Sequence, residues 1–324
     1  MRFPFFYKLS VIIYFQLHIL TAQNNSETHK LSGDSKLTST LISVPDDALS
    51  FLVIGDWGRC GELNQNEVAK QLAFFSEESK ASFIISTGDN FYPDGVASIN
   101  DPLWDKSFEN VYTQYSLQKN WYVVLGNHDY KTNPQAEIDY SKKSVRWKMP
   151  YNYYSFKIPI SIDTSVKALF VFIDSSPFIE KYYQEKDYVK LVSQQDTAAQ
   201  KKWLRSVLSD PDPTIKWKFV IGHHPLYSSG KRINNAETIQ YRKLMEKTFS
   251  NYNVDAYFCG HEHHLEYVKT NDQIHHFISG AGSEVREVKG NLEESVFKIS
   301  DAGFMLFSVA ASELLVQIIN REGK

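Results

Sequence analysis

Apolar runs rich in Val, Ile and Phe recur along the chain, and five of them end alike, on a glycine followed at once by a polar side chain. Phe51-Leu52-Val53-Ile54 leads into Gly55-Asp56, and residues 81–87 lead into Gly88-Asp89-Asn90-Phe91-Tyr92. Trp121-Tyr122-Val123-Val124-Leu125 leads into Gly126-Asn127-His128, Phe219-Val220-Ile221 into Gly222-His223, and Tyr257-Phe258-Cys259 into Gly260-His261-Glu262-His263. Short apolar, β-branched runs bounded by turn residues read as buried strands. Open α/β sheets bind ligands beyond the carboxyl ends of their strands, so five such ends predict one shared pocket.

Between these runs the spacing becomes helical. Residues 64–75 place Val68, Leu72 and Phe75 on one helix face, giving a β-α-β unit with the strands on either side. Further helices are predicted over 193–208, with Trp203, Leu204 and Val207 inward, and over 236–249; Asp210-Pro211-Asp212-Pro213 stops the first of these. A strand over 168–173 runs into Asp174-Ser175-Ser176. Residues 93–111 read as a loop with a short helix, and the Tyr-rich stretch 131–162 as an excursion from the main sheet made of short strand-like pieces. From Ile274 onward strands follow with fewer helices between them, including 304–309 and 314–319, which predicts a second, more antiparallel sheet. Two mixed sheets packed together with helices outside make a four-layer α/β/β/α sandwich, an α/β fold. A single catalytic domain is expected over 48–320, after a flexible polar lead-in over 23–47.

Residues 1–22 carry Arg2 and Lys8, an apolar stretch over 9–20 and Leu20-Thr21-Ala22, the pattern of a secretory signal peptide. The expected destination is secretion or the lumen of a vesicular, lysosome-like compartment. No later stretch has spanning length, so no stable membrane anchor is expected. A glycosylation sequon, Asn24-Asn25-Ser26, lies close to the predicted cleavage point. The formal net charge of -3, with no basic run, argues against a nucleic-acid-binding face. Only Cys60 and Cys259 occur, which excludes a disulfide scaffold; both are expected to be small, buried structural groups, with a single bridge between them left open.

Asp56, Asp89, Tyr92, Asn127, His223, His261 and His263 offer carboxylate, phenolate, amide and imidazole donors, a set suited to first-row transition metals and unlike a thiolate zinc site. Seven donors exceed the needs of one ion. They suit two ions about 3.5–4 Å apart, an arrangement that clamps the attacking and leaving oxygens of an in-line displacement at phosphorus. Asp89 is the natural bridge. His261 and His263, two residues apart on backbone expected to be extended, would point the same way.

Taken in order, the motifs GDWG (55–58), GDNFY (88–92), GNHD (126–129), GHHP (222–225) and GHEH (260–263) resemble those of the calcineurin-like metallophosphoesterases, specifically the purple acid phosphatases of the small, tartrate-resistant type. The tyrosine in the second motif is the specific part. The resemblance implies hydrolysis of phosphate monoesters at acidic pH. It assigns Asp56, Tyr92 and His263 to Fe(III), Asn127, His223 and His261 to a second divalent metal (Fe, Zn or Mn), and Asp89 to both. It makes His128 the catalytic group beside the leaving oxygen, and gives Asn127, His128 and His224 contacts to a small phosphomonoester or phosphoprotein substrate. A trivalent ion keeps water activated into acid, where an imidazole carries a proton to donate, so the residue chemistry agrees with the assignment. One stretch departs from the animal members, which carry a longer loop with a further histidine after the fourth motif. Residues 225–235 hold none, leaving His224, Lys231 and Arg232 as candidates for that role. The alternatives are a phosphodiesterase or nucleotide pyrophosphatase of the same superfamily, and a non-catalytic phosphate- or iron-binding protein.

Overall fold

Among the described residues the strands sort into two mixed sheets that share an aromatic interior. The structure, a computed structural model, describes Val44 and residues 48–160, 165–270 and 274–324. The predicted signal peptide, the Asn24 sequon and the remainder of the lead-in lie outside the described residues.

The first sheet is built on β1 (Leu49–Ile54), β2 (Phe83–Ser86), β3 (Trp121–Val123) and β4 (Trp147–Lys148), which run parallel. The second contains β5 (Tyr154–Pro159), β6 (Lys167–Phe172), β7 (Ile215–Ile221), β8 (Ala256–Cys259), β9 (Leu265–Lys269), β10 (His275–Ser279) and β11 (Ser295–Ile299), with β6, β7, β8 and β10 parallel and the rest antiparallel. The last strands, β12 (Gly303–Val309) and β13 (Leu314–Asn320), return to the first sheet, where β12 pairs antiparallel with β1. The C-terminal strands therefore do not form a separate antiparallel sheet, as their pattern predicts. They are divided: the second sheet has a parallel centre with antiparallel pairs at both edges, and the first is antiparallel only on its β12–β13 side.

The helices are α1 (Gln65–Glu78), α2 (Pro134–Tyr140), α3 (Val189–Val192), α4 (Thr197–Leu208) and α5 (Ala236–Asn251). α1 packs on β1 and β12. α4 starts where Asp196 caps it, accepting from Ala199 N at 2.8 Å. α2 is a departure from the strand-like reading of 131–162: Pro134 opens it with φ already set for a helix. That stretch carries the chain from one sheet to the other, since β4 closes the first and β5 edges the second. No helix among the described residues is long and apolar enough to cross a membrane.

Phe51 fills the space between the sheets. Its ring stacks on Phe83 and Phe307 within its own sheet, with centroids 5.2 and 5.4 Å away. Across the gap it meets Phe170 edge-on at 5.2 Å and Phe258 at 6.0 Å. Alternating strand residues turn these rings inward, and geometry of this kind adds to the gain from burial. Phe51→Ala is expected to lower unfolding stability by about 3–5 kcal/mol, as large cavities in well-packed cores do. Urea denaturation of the two proteins checks this, and a loss below about 1 kcal/mol would mean that the sheets are held together elsewhere.

Candidate metal centre

Each predicted strand end places its polar residue at the junction of the sheets. The loops after β1, β2 and β3 bring Asp56, then Asp89 and Tyr92, then Asn127 and His128; those after β7 and β8 bring His223, then His261 and His263. Asp56, Asp89 and His261 adopt left-handed backbone, with φ of 57°, 50° and 69°. Non-glycine residues rarely do so, and such strain collects at functional sites. His261 and His263 therefore do not lie on extended backbone as expected; a bend directs both inward. Close approach is allowed by missing side chains. A Cβ on Gly126 would stand 2.2 Å from both Asp89 N and Asp89 Oδ1.

The donors fall into two groups that meet at Asp89. Tyr92 Oη lies 3.1 Å from Asp56 Oδ1, 3.0 Å from Asp89 Oδ2 and 3.2 Å from His263 Nε2. His263 Nε2 is 3.3 Å from Asp56 Oδ1. On the other side His223 Nε2 lies 3.4 Å from Asp89 Oδ1, 3.3 Å from Asn127 Oδ1 and 3.1 Å from His261 Nδ1. Donors bound side by side to one ion at ~2.1 Å stand about 3 Å apart, which is the spacing found in both groups. Tyr92 has one proton for three acceptors. Lone pairs in such surplus, all buried, fit a set of cation ligands better than a hydrogen-bond network.

The buried charges set one another's protonation. Burial works against the Asp89 carboxylate, but the His223 and His128 imidazoles hold it well below the ordinary range. Burial and the Asp56 and Asp89 charges push the Tyr92 phenol far up. His223, despite burial, is drawn up to about 9 by Asp89. Burial and the nearby Arg232 charge push His261 down, so its imidazole is neutral and has a lone pair to give.

Neighbouring groups aim the donors. His223 Nδ1 donates to Thr87 O at 2.9 Å, which turns Nε2 to the centre. Asn127 Nδ2 donates to Tyr188 Oη at 3.2 Å, which turns Oδ1 the same way. Asp129, the last residue of the third motif, accepts from Asn90 N at 3.0 Å, Phe91 N at 3.2 Å and Gly126 N at 2.8 Å, tying two loops together. Burial, with the Asp89 charge, pushes Asp129 up to about 7, and Glu137 shares Asn90 Nδ2 with it at 2.9 Å. Asp129 is part of the third motif, although no role is expected of it from the sequence; Glu137 and Tyr188 carry no local signal.

Two expectations are corrected. His224 is buried with both ring nitrogens engaged, Nδ1 with Ser175 Oγ and Nε2 with Tyr182 Oη, each at 2.8 Å. It braces the wall of the site and has no nitrogen to spare for substrate. Of the other candidates in that loop, Arg232 stands against a donor, its Nη1 3.2 Å from His261 O. Cys60 is exposed and Cys259 buried, and both are free thiols, so the first is not the buried group expected.

His128 sits at the mouth, its side chain 24% exposed. Nδ1 contacts the Pro93 carbonyl and lies 3.2 Å from Lys131 Nζ, and Nε2 faces inward, 4.0 Å from Asp89 Oδ2.

Residues 49–265 match the family model described as calcineurin-like phosphoesterase. Purple acid phosphatase 3 of Arabidopsis thaliana is 34% identical over 96% of this chain and 82% of its own length. Tartrate-resistant acid phosphatase type 5 of Homo sapiens is 32% identical over 86% of this chain and 89% of its own. Among solved structures, GAP50, described as the anchor in the inner membrane complex of Plasmodium, superposes with a TM-score of 0.74 at 26% identity, over 86% of this chain and 87% of its own.

Because Asp89 alone faces both donor groups, Asp89→Ala is expected to strip nearly all bound metal from the purified protein while leaving its circular dichroism unchanged. Elemental analysis decides this. Full metal content in the variant would remove Asp89 from the centre of the arrangement.

Proposed function

This chain belongs to the calcineurin-like phosphoesterases and, within them, to the purple acid phosphatases; from that premise we propose that it hydrolyses phosphate monoesters in acid with two metal ions. The observation that carries the proposal is the pair of donor groups facing the two oxygens of Asp89. Asp56, Tyr92 and His263 would hold Fe(III); Asn127, His223 and His261 would hold divalent iron, zinc or manganese. The first group has the harder, more anionic donors, which suits the higher charge. Bound there, the two ions would supply Lewis acidity, lowering the pKa of water and offsetting the charge of the phosphoryl oxygens.

The chain's own residues supply the rest. With Nδ1 tied to the Pro93 carbonyl, His128 presents Nε2 to the site and can hold a proton there for the leaving alkoxide. Lys131 Nζ, 3.2 Å from Asp94 Oδ1 and 3.3 Å from Pro93 O, keeps positive charge at the same rim. Asn127 is tethered to Tyr188 through Nδ2, so its contact to substrate would come from the second hydrogen of that amide. The expected substrate is a small phosphomonoester or a phosphoprotein. Residues 1–22 support a secreted or vesicular destination.

Two other readings have support. Diesterase chemistry is common to the wider superfamily, but the Tyr92 phenol among the donors speaks for the acid phosphatase. The likeness to GAP50 raises a non-catalytic anchoring role. Convergence of all seven donors favours catalysis, because an anchor has no need to crowd buried lone pairs into one place.

Metal-loaded protein is expected to turn over p-nitrophenyl phosphate in acid far faster than its bis ester. The reverse preference would make it a diesterase, and the absence of metal-dependent turnover would favour the anchor. His128→Ala should retain both metals and lose about 10²–10⁴-fold in rate on alkyl phosphates but much less on aryl ones, whose leaving groups need little protonation. Equal losses on the two classes would exclude His128 as the acid. The ferric assignment is read from colour: the loaded protein should absorb in the visible, and Tyr92→Phe should abolish the band.

A further inference from the structure

The loops after β1 and β10 meet over the Tyr92 side of the centre, and both bring charge to it. The Arg59 guanidinium lies over the Tyr92 ring, its Cζ 3.7 Å from the centroid, and donates from Nη2 to Glu284 Oε2. That same carboxylate oxygen stands 3.6 Å from His263 Nδ1. The contact is an ion-pair approach just beyond hydrogen-bond reach. His263 Nδ1 is buried and has no hydrogen-bond partner among the described residues. The other oxygen of Glu284 receives Arg286 Nε at 3.4 Å, and Arg286 N donates to His263 O at 2.8 Å. Burial opposes the Glu284 charge, yet His263, Arg286 and Arg59 hold its carboxyl below the ordinary range.

His263 turns Nε2 toward Tyr92 and Asp56, so an imidazole that gives Nε2 to a cation keeps its hydrogen on Nδ1, facing Glu284. Carboxylates behind ligating imidazoles fix the tautomer and strengthen the donor. The guanidinium acts in the opposite sense. Positive charge over the ring stabilises the phenolate's electrons and weakens it as a donor.

We propose that Arg59, Glu284 and Arg286 form an outer electrostatic clamp on Tyr92 and His263 that sets how strongly these two side chains donate to iron. All three are positioning residues, touching the ligands and not the substrate. The proposal rests on the reading that Fe(III) occupies the Tyr92 side. Two consequences have definite signs. Arg59 raises the energy needed to move an electron from the phenolate to the ferric ion, so it shifts the visible band to shorter wavelength. Arg59 also favours the reduced ion, whereas Glu284 favours the oxidised one, so the two charges pull the reduction potential in opposite directions.

The test uses the iron-loaded full chain, with visible spectra and redox titrations of the wild type, Arg59→Met and Glu284→Gln. Arg59→Met is expected to move the band to longer wavelength and lower the potential, and Glu284→Gln to raise the potential. Simple loosening of packing would move both variants the same way, so shifts of like sign would overturn the clamp. Glu284 has a side chain 32% exposed and glutamine matches its shape, so Glu284→Gln keeps the test alive if Arg59→Met does not fold. A loaded wild type without colour would overturn the ferric reading and the clamp with it. A coloured wild type whose band and potential neither variant moves would overturn the clamp alone.

Discussion

Everything near the centre follows from burying Asp56 and Asp89 side by side at the junction of two sheets. Both are at most 1% exposed. Removing two carboxylates from water is among the most costly steps available to a folding chain, and it persists only where each charge finds partners. Asp89 Oδ1 accepts from His128 N at 2.8 Å, and Asp56 Oδ2 from His261 N at 3.0 Å. In each case the amide comes from a loop of a different strand, so folding the sheets and satisfying the charges are one event. Left-handed backbone at both aspartates and at His261 is the local strain the arrangement tolerates.

What holds that strain in place is the rigidity around it. Behind the centre, the rings of Phe51, Phe83, Phe170, Phe258 and Phe307 lock one sheet to the other. Beside it, Trp57 Nε1 donates to Ser86 Oγ at 2.9 Å, and Ser86 Oγ donates to Asn90 Oδ1 at 2.6 Å. Asn90 then passes its amide hydrogens to the Val124 carbonyl, Asp129 and Glu137. A buried network with so many members filled specifies one arrangement of the loops, and that lets donors on five loops keep spacings of about 3 Å. The division of labour is clear: aromatic packing sets the distance between sheets, and the polar network sets the angles of the loops.

The direction of each side chain has a consequence for chemistry. Tyr188 turns the Asn127 amide, Thr87 the His223 ring and Pro93 the His128 ring, and in every case the second polar atom of the side chain is left facing the cleft. His224 shows the converse. Two nearby hydroxyls consume both its nitrogens, so a histidine adjacent in sequence to a donor becomes part of the wall.

Most of the strands, three of the helices and the seven side chains that meet at the centre were legible in the sequence. Those are local facts: alternation, helical spacing and a glycine before a polar side chain are all written within a few residues. It did not determine where the last strands would go, because the alternation of β12 and β13 names an inward face and no partner; register with β1 across more than two hundred residues decided that. Nor did it reveal α2, whose seven residues are too short for helical spacing to stand out. Packing settles which oxygen of Asp89 faces which donors, spends His224 on the wall, and puts Asp129 and Glu137 beneath the loops. The same holds for Arg59 and Glu284, 225 positions apart along the chain and in contact across Tyr92. A motif records which atoms are available to the site, whereas the distances among them arise only when sheets pack, since packing alone fixes separations between residues remote in sequence.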